Sequence, residues 1–497
     1  MTTEPRPDGR GEATPWAPAP PSPVPPVPQR LTLVLPSTGE FDSRTYRIAS
    51  AAVGRGHTVT VIARWRPGLP AEEQHSGGYR ILRVPYGAID GVPLGTLVRA
   101  CRMGLRRLRA WRTGSPYRPL ADPMALMRAA DPKSAPGHTA GPASDAGSGG
   151  FDGPDPTLPI GGPRRVSPVR RAANAVVGRL AIPLTIRSQG QFAAQVAPAA
   201  DMYHGMAYMG IPIALRLARR DRAKVVYDAR DIYLDAANLA RMRGPMRWFI
   251  ARAERGWARK ADRVVTVNRP YAEVMASRFG VPEPLIVMNC AYRFTPPEPR
   301  AHRIHEALGL DPATKVVLYQ GGFSRDRGIE QLVTAIPAIP GATLVLMGYG
   351  VLLEQLKAEE ARSGGLVRIL PAVPPTELLA WVASADVVVM PIQPTTLNHR
   401  LTTPNKLFEA MAAGVPMVAS DLVGMAPFVL ETGSGALCDP EDPASIASAV
   451  RRILEAPSAE RAAYRARALA AAHDRYNWET QVAILFEEYG RLTGKPW

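Results

Sequence analysis

The stretch LTLVLPSTGEFDSRTYRIASAAVGRGHTVTVIA (31–63) decides the fold. It begins with an apolar run of strand length, LTLVL (31–35), and continues through a turn-prone loop into a helical pattern near Ser43–Gly54. A glycine turn then leads into a second apolar run, TVTVIA (58–63). Strand, glycine-containing loop, helix and strand form a βαβ unit, so this stretch predicts the start of a doubly wound α/β sheet.

The same alternation of short apolar runs and helical patterns continues through both halves of the chain. In the first half the expected strands are YRILRV (79–84), DMYHG (201–205), AKVVYDA (223–229) and DRVVTVN (262–268), with helices at 210–220 and 245–260. In the second half they are TKVVLYQ (314–320), ATLVLMG (342–348), LVRIL (366–370), DVVVMPI (386–392) and PMVAS (416–420), with helices near 327–337, 350–362, 375–384, 404–413 and 443–455. Buried strands separated by helices indicate parallel sheets covered on both faces. Two Rossmann-like domains are therefore expected to face each other across a cleft.

Shifts in composition divide the chain further. A proline-rich stretch opens it, a stretch rich in Pro, Gly, Ala, Ser and Asp interrupts the first half, and the linker CAYRFTPPEPRAHR (290–303) separates the halves. Low-complexity stretches bury too little apolar surface to fold. The predicted segments are a disordered tail at 1–30, an amino-terminal domain at 31–295 with a disordered insertion at about 113–163, a carboxyl-terminal domain at 296–475, and a final helix at 476–497 that returns to the amino-terminal domain.

Composition and charge narrow the function classes. The 497 residues are 46% hydrophobic and 21% charged, which excludes wholesale disorder. Three widely spaced cysteines argue against a disulfide framework and fit a reducing compartment. No apolar run reaches the roughly 18 residues that span a bilayer, so a cytoplasmic protein is expected. The net charge of +16 favours anionic partners such as nucleotides or phospholipid head groups. Nucleic acid ranks last, because few aromatic residues accompany the arginines.

The stretch LTTPNKLFEAMAAGVPMVASD (401–421) predicts an anion site at the start of a helix. Thr403 suits the N-cap and Pro404 the first helical position, which leaves free N–H groups and a positive dipole end for a diphosphate. Glu409 falls off the apolar stripe of this helix and can accept hydrogen bonds from two ribose hydroxyls. The alternative is an ordinary capped helix that carries a surface glutamate.

A second anion site is predicted in VLYQGGFSRDRGIEQLV (317–333). Gly321 and Gly322 allow a close approach to the backbone, and Arg325 and Arg327 supply positive charge near the start of the next helix. If both helix starts face one cleft, they form a clamp for a nucleoside diphosphate. The alternative is a solvated Arg–Asp loop.

Four residues of the amino-terminal half are candidates for the acceptor side of the cleft. Asp42 and Arg44 lie in PSTGEFDSRTYR (36–47), and Asp231 lies in KVVYDARDIY (224–233). The alternative for the first pair is that Asp42 or Ser43 caps a helix while Arg44 pairs locally. His204 ends a buried strand and is either structural or part of the acceptor side.

Several of these motifs, in this order, resemble those of the family 4 (group 1) retaining glycosyltransferases, which have the two-Rossmann fold called GT-B. In the carboxyl-terminal half the resemblance rests on PNKLFEAMAAGVPMVASD, YQGGFSRDRG, VLMGYG and ADVVVMPI. In the amino-terminal half it rests on DSRTYRIASAAVGRGHTVTVIA, KVVYDARDIY and ADRVVTVNRPYAEVMASRFGVPEPLIVMN. It covers most of 31–490 apart from the insertion.

The resemblance implies roles for single residues. Glu409 corresponds to the ribose-binding second glutamate of the family's glutamate pair, and Arg327 to the basic residue that contacts the donor phosphates. The turn of Thr403, Pro404 and Asn405 corresponds to the backbone segment that binds the pyrophosphate. Gly39 corresponds to the small residue that lets the donor approach. Two positions depart from the family pattern: Leu401 stands where the first glutamate would fall, and Gly322 where an arginine is usual.

The resemblance also implies the reaction. A sugar passes from a nucleotide-diphosphate sugar to a glycan, lipid-linked or small-molecule acceptor with retention of configuration, and no metal or other cofactor holds the diphosphate. Arg327 and Glu409 are the expected catalytic residues. Two rivals remain open: a sugar-nucleotide epimerase on the same architecture, and a non-catalytic nucleotide-sugar-binding protein that has lost the first glutamate and the arginine.

A basic segment, LVRACRMGLRRLRAWR (97–112), bears on location. It places apolar residues on one helical face and arginines on the others, which suits an anionic membrane surface. A peripheral location on the inner face of the plasma membrane would follow. The alternative is an ordinary domain helix with a solvated basic face.

Overall fold

A computed structural model describes residues 27–40, 42–85, 88–89, 92–93, 185–242 and 244–497. Most of the predicted tail at 1–30, the predicted insertion at 113–163 and the basic segment 97–112 lie outside the described residues.

The amino-terminal half forms an eight-stranded sheet with the strand order β10-β9-β8-β7-β1-β2-β4-β3. Its strands are parallel except for β3, which pairs antiparallel with β4 at one edge. β5 and β6 form a separate antiparallel pair. The strands are β1 Arg30–Val34, β2 Thr58–Arg64, β3 Glu72–Gln74, β4 Arg80–Val84, β5 Ala88–Ile89, β6 Val92–Pro93, β7 Met202–Met206, β8 Lys224–Asp228, β9 Arg263–Thr266 and β10 Leu285–Ile286.

Helices cover both faces of this sheet. α1 begins directly after Asp42, whose carboxylate accepts a hydrogen bond from the Thr45 N–H at 3.0 Å. The helices are α1 Ser43–Gly54, α2 with its described part at 185–196, α3 Ala207–Asp221, α4 Ala237–Arg241, α5 Pro245–Ala258 and α6 Arg269–Phe279, with a short 3-10 turn at Tyr233–Asp235.

The carboxyl-terminal half forms a fully parallel six-stranded sheet with the order β13-β12-β11-β14-β15-β16. Its strands are β11 Lys315–Gly322, β12 Ala342–Tyr349, β13 Val367–Leu370, β14 Val387–Met390, β15 Met417–Ser420 and β16 Gly435–Cys438. Its helices are α7 Arg303–Leu308, α8 Ile329–Ala335, α9 Leu353–Arg362, α10 Leu378–Val382, α11 Leu397–Leu401, α12 Asn405–Ala412, α13 Ala426–Thr432, α14 Pro443–Leu454 and α15 Ser458–Asp474, with a 3-10 turn at Ile336–Ala338. Two parallel sheets with helices on both faces confirm the predicted α/β architecture.

The last helix, α16 Trp478–Thr493, packs against the first sheet rather than the second. Trp478, Phe486 and Tyr489 are fully buried in the same apolar cluster as Leu31 and Ile48. The prediction that the final helix returns to the amino-terminal domain is therefore confirmed. Among the described residues, no helix combines the length and the hydrophobicity that crossing a membrane requires.

Candidate functional site

The start of α12 leaves its first backbone N–H groups without a side-chain cap. Pro404, in extended conformation, precedes the helix, and no side chain caps it. The first N–H groups of a helix have no partner within the helix, and its dipole makes this end positive. Because Pro404 has no N–H, the amides available to an anion are those of Asn405 and Lys406.

The predicted cap at Thr403 is wrong. Its buried hydroxyl donates to the Gly424 carbonyl at 2.6 Å and accepts from the Asn268 amide at 3.0 Å. Thr403 thus ties the turn to a neighbouring loop and to the amino-terminal domain. The predicted position of Pro404 is also one residue off, since the helix begins at Asn405.

The turn that carries Arg327 follows the end of β11. Gly321 and Gly322 close this strand, and the space beside Gly322 is empty to 4 Å where a Cβ would lie. Arg325 is exposed, whereas Arg327 is half-buried. Within the described residues Arg327 has no carboxylate partner at ion-pair distance. Its guanidinium is therefore available to an anionic ligand.

The backbone holds this turn tightly against the end of β14. Asp326 and Gly328 flank Arg327, and both have positive φ angles, 65° and 70°. The Asp326 carbonyl accepts from the Gln393 N–H at 3.1 Å. A Cβ on Gly328 would lie 1.9 Å from the Pro391 carbonyl oxygen. Only glycine fits there, so the position of Arg327 is fixed by close backbone packing.

The two turns meet through Lys406, which the sequence analysis did not single out. Its ammonium lies 3.7 Å from the ring centroid of Tyr319, a residue of β11. Burial and, to a smaller extent, the charge of Arg327 together lower the pKa of Lys406 to about 7. Two cations thus stand near the uncapped helix start, an arrangement suited to a diphosphate. The motif PNKLFE could have indicated this role, because its lysine, Lys406, comes directly after the first residue of the helix.

Glu409, further along α12, is buried, so the alternative of a surface glutamate on this helix is wrong. Burial raises the pKa of its carboxyl, an effect that the charges of Arg47 and Lys406 and the Gln320 amide oppose. Its contact with the Gln320 Nε2 is long, 3.5 Å. A buried carboxylate with so few bonds has acceptor capacity left for hydroxyl groups.

Side chains of the amino-terminal half reach this site directly. The Asn289 amide donates to the Asn405 Oδ1 at 2.9 Å, and the Arg47 guanidinium donates to the Asn289 Oδ1 at 2.9 Å. The Asn268 amide donates to the Leu401 carbonyl at 2.7 Å. The halves therefore contact each other at the start of α12.

Asp42 and Asp231 lie on the amino-terminal side of the cleft. Asp42 caps α1 and accepts from the Arg230 guanidinium at 2.8 Å; burial would raise the pKa of its carboxyl, but the Arg230 charge holds it lower. Asp231 accepts from the Asn398 amide at 3.1 Å, and burial raises its pKa while Arg327 opposes the shift. Gly39, with φ +85°, lies in the loop after β1.

Arg44 and His204 do not face the cleft. Both side chains are fully buried, and both bind Asp228: the Arg44 Nε at 2.6 Å and the His204 Nε2 at 3.0 Å. The other ring nitrogen of His204 lies 2.6 Å from the Tyr489 hydroxyl. Burial lowers the pKa of His204, so the neutral ring donates to Asp228 and accepts from Tyr489. Their placement on the acceptor side is corrected, because this cluster joins α16 to the first sheet. Arg44 pairs across 184 residues, not locally.

The described residues contain no group of three or more His, Cys, Asp or Glu side chains arranged to hold a metal ion. Cys290 and Cys438 are free and buried.

Comparison with known proteins agrees with this geometry. A family model described as "Glycosyl transferases group 1" matches residues 314–456, and one described as "Glycosyl transferase 4-like domain" matches 138–291; together they cover more than half of the chain. The second match begins inside the predicted insertion.

Three curated relatives show the range of activities. The chain is 30% identical to glycogen synthase of Mycobacterium tuberculosis over 35% of this chain and 42% of the relative. It is 33% identical to D-inositol 3-phosphate glycosyltransferase of Corynebacterium urealyticum, over 41% and 50%. It is 32% identical to a GDP-mannose-dependent phosphatidylinositol monomannoside mannosyltransferase of Mycolicibacterium smegmatis, over 46% and 62%. The chain thus spans about half the length of the curated relatives that it matches.

Solved structures share the fold over almost the whole chain. Sucrose-phosphate synthase of Thermosynechococcus elongatus has a TM-score of 0.62 at 18% identity and covers 94% of this chain and 99% of its own. HepE of Anabaena, solved with UDP-glucose, has a TM-score of 0.55 at 15% identity and covers 93% and 100%. The motifs, the two facing sheets and the matching family models lead to one conclusion: the chain belongs to the group 1 glycosyltransferases and has the GT-B fold.

Proposed function

We propose that the chain is a retaining glycosyltransferase that moves a sugar from a nucleotide-diphosphate sugar to a glycan, lipid-linked or small-molecule acceptor. The observation that carries the proposal is the convergence of Arg327, Lys406 and the uncapped start of α12 on one cleft, with Glu409 buried behind them. Cations and free amides suit the diphosphate, and the buried carboxylate suits the ribose hydroxyls.

The chemistry follows from where charge develops. As the glycosidic bond to the diphosphate breaks, the β-phosphate gains negative charge and the sugar becomes oxocarbenium-like. The amides of Asn405 and Lys406 and the guanidinium of Arg327 are positioned to stabilise that charge, and a preorganised donor of this kind contributes roughly 3–4 kcal/mol. The departing phosphate can take the proton of the acceptor hydroxyl as the new bond forms on the same face. This route needs neither a protein base nor a metal.

The relatives do not agree on one donor nucleotide or sugar. HepE was solved with UDP-glucose, and the mannosyltransferase is named as dependent on GDP-mannose. Two relatives act, by name, on an inositol phosphate or a phosphatidylinositol derivative. We therefore include phosphorylated inositols among the acceptors to be tested.

The test is a donor screen followed by a transfer assay. UDP-, GDP-, ADP- and dTDP-sugars are compared by thermal shift, and Glu409→Ala and Arg327→Ala should abolish the shift that the preferred donor causes. Glu455→Ala, at the exposed residue directly after α14, is the matched control. Nucleotide analogues that lack both ribose hydroxyls test the role of Glu409 directly. Because they offer no hydroxyl to its carboxylate, Glu409→Ala should hardly change the thermal shift that they cause.

The outcome separates the rivals. Transfer of labelled sugar to an acceptor with retained configuration supports the proposal. Turnover of the donor alone into another nucleotide sugar would identify an epimerase, and donor binding without transfer would identify a non-catalytic binding protein. Activity that disappears with EDTA and returns with a divalent cation would contradict metal independence.

The proposal extends to location: a cytoplasmic protein, peripheral on the inner face of the plasma membrane, with a cell-envelope acceptor. It is supported by the composition of segment 97–112. Sedimentation with anionic liposomes at low salt tests it, and failure to bind would contradict it.

A further inference from the structure

A pocket of about 270 Å³ lies in the amino-terminal half, between α5, α6 and the 3-10 turn Tyr233–Asp235. Of the candidate site residues, Asp231 alone lines it. Asp231 also accepts a hydrogen bond from Asn398 of the carboxyl-terminal half and feels the charge of Arg327. Through Asp231 the pocket therefore adjoins the donor site.

One wall of the pocket is positively charged. Arg252 and Arg255 extend from α5, and both are exposed. Neither forms an ion pair with a carboxylate within the part of the chain that the structure describes. Arg278 faces them from α6 but binds Asp235 at 2.6 Å. The Arg255 Nε donates a long hydrogen bond to the Phe279 carbonyl, 3.4 Å, which leaves its two terminal nitrogens and the Arg252 guanidinium available to an anion.

The floor of the pocket does not oppose an anion strongly. Two carboxylates line the pocket, Asp231 and Glu254, and Glu254 is buried and accepts a hydrogen bond from the Tyr227 hydroxyl at 2.6 Å. Burial raises the pKa of Glu254 to about 7. At neutral pH Glu254 therefore carries only part of a negative charge, and the Asp231 carboxylate already accepts a hydrogen bond from Asn398.

The rim carries a large flat apolar surface. Trp248 is 66% exposed, and the Arg252 guanidinium lies 6.0 Å from its ring centroid. An exposed indole beside cations suits a ring-shaped polyol or sugar, whose C–H face packs on the aromatic ring while its anionic group meets the arginines. The volume is just below the roughly 300 Å³ at which drug-sized sites begin. It suits a single ring with one phosphate.

We propose that this pocket binds the phosphate group of a phosphorylated polyol or sugar acceptor, with Arg252 and Arg255 as the phosphate contacts and Trp248 as the ring contact. This inference rests on the proposed function, since it names the acceptor class for the same cleft. The phosphate belongs either to a free phosphorylated acceptor or to the head group of a lipid, and the chemistry of recognition is the same for both.

The experiment measures binding of D-inositol 3-phosphate and of uncharged myo-inositol to the full chain by calorimetry. We expect the wild type to bind the phosphorylated probe at least tenfold more tightly. The double variant Arg252→Gln/Arg255→Gln should lose that preference, because each charge-assisted bond is strong. Arg451→Gln/Arg452→Gln, which removes the same charge from exposed positions on α14, should keep it. Circular dichroism checks that all variants fold.

Two further arms complete the design. Vesicles of phosphatidylinositol, compared with phosphatidylcholine vesicles, identify a lipid source if they bind while the soluble probe does not. Equal binding of both inositols by the wild type and no preference between the vesicles, or an unchanged preference in Arg252→Gln/Arg255→Gln, would overturn the inference. Nucleotide binding is measured in parallel: a wild type that binds no nucleotide sugar defeats the proposed function, whatever the phosphate probe does.

Discussion

The Asn289 amide donates a hydrogen bond to the Asn405 side chain across the boundary between the two halves of the chain, at 2.9 Å. Asn405 is the first residue of α12, and Asn289 is held in turn by Arg47. The position of the helix start is thus coupled to the amino-terminal domain.

This contact predicts a measurable coupling between the two asparagines. Asn289→Ala and Asn405→Ala should each destabilise the chain, and their effects should be non-additive by about 0.5–1.5 kcal/mol, the net value of a typical hydrogen bond. Thermal unfolding of both single variants and the double variant provides the cycle. Strict additivity would show that the bond is not formed in solution.

Lys406 predicts a pH dependence of nucleotide binding. Burial lowers its pKa to about 7, so at pH 8 the free protein holds this side chain mostly neutral. A bound diphosphate stabilises the charged form and raises the pKa. Binding of UDP at pH 8 should therefore take up as much as one proton, and binding at pH 6 should take up almost none.

Calorimetry in buffers of different ionisation enthalpy measures this uptake. Lys406→Met should abolish it, while Lys357→Met, on the exposed face of α9, should not change it. Uptake that persists in Lys406→Met would assign the proton to another group.

The close packing at Gly328 predicts that donor affinity depends on the exact position of Arg327. Gly328→Ala forces a Cβ against the Pro391 carbonyl, so the turn must shift and the variant should lose at least tenfold in donor affinity, or about 1.4 kcal/mol. Gly341→Ala is the matched control, because its φ is nearly the same, +68°, and its Cβ would meet nothing within 4 Å. Gly341→Ala should lose about 1–2 kcal/mol of stability through backbone strain, and Gly328→Ala should lose more because of the added clash. Equal donor affinity in the two would contradict the role of the turn.

The buried pair of Arg44 and Asp228 predicts a large effect on stability. Arg44→Met leaves the Asp228 carboxylate buried without its cation, which typically costs about 3–5 kcal/mol. Arg30→Met breaks an exposed arginine–aspartate pair in the same domain, Arg30 with Asp201, and should cost at most about 1 kcal/mol. Urea unfolding measures both. Similar midpoints for the two variants would show that the buried cluster adds nothing.

The same cluster predicts loss of stability in acid. Burial lowers the pKa of His204, so the folded state resists its protonation, and stability should begin to fall as the pH drops below about 6.5. Burial alone would raise the pKa of Asp228, but the Arg44 charge, the His204 hydrogen bond and the Arg230 charge together lower it, so a second loss should follow below about 3.8. His204→Asn should remove part of the first phase. An unchanged acid profile in this variant would assign the loss to other histidines.

Local patterns predicted the architecture and missed the long-range partners. The bounds of α1 follow from Asp42 as its cap and from the glycine turn after it, both of which are local. The partner of Arg44 could not be read from the sequence, because Asp228 is 184 residues away. Thr403 is a residue type that often caps helices, yet its hydroxyl donates to the Gly424 carbonyl instead. The backbone at Gly424 packs closely against residues 401 and 402, a contact that the local sequence does not reveal. Short or polar elements such as β3, and α15 with its many alanines, lacked the apolar periodicity that marked the others.

The packing of α16 against the first sheet has a consequence for synthesis on the ribosome. Trp478 and Tyr489 pack in the same core as Leu31, so this core needs segments that are made early and segments that are made late in translation. Domains usually fold as units in the order in which they are made. Here the carboxyl-terminal sheet can fold before α16 has been made, whereas the core of the amino-terminal sheet is still incomplete. Nascent chains halted before residue 478 should therefore remain sensitive to proteases in their amino-terminal half.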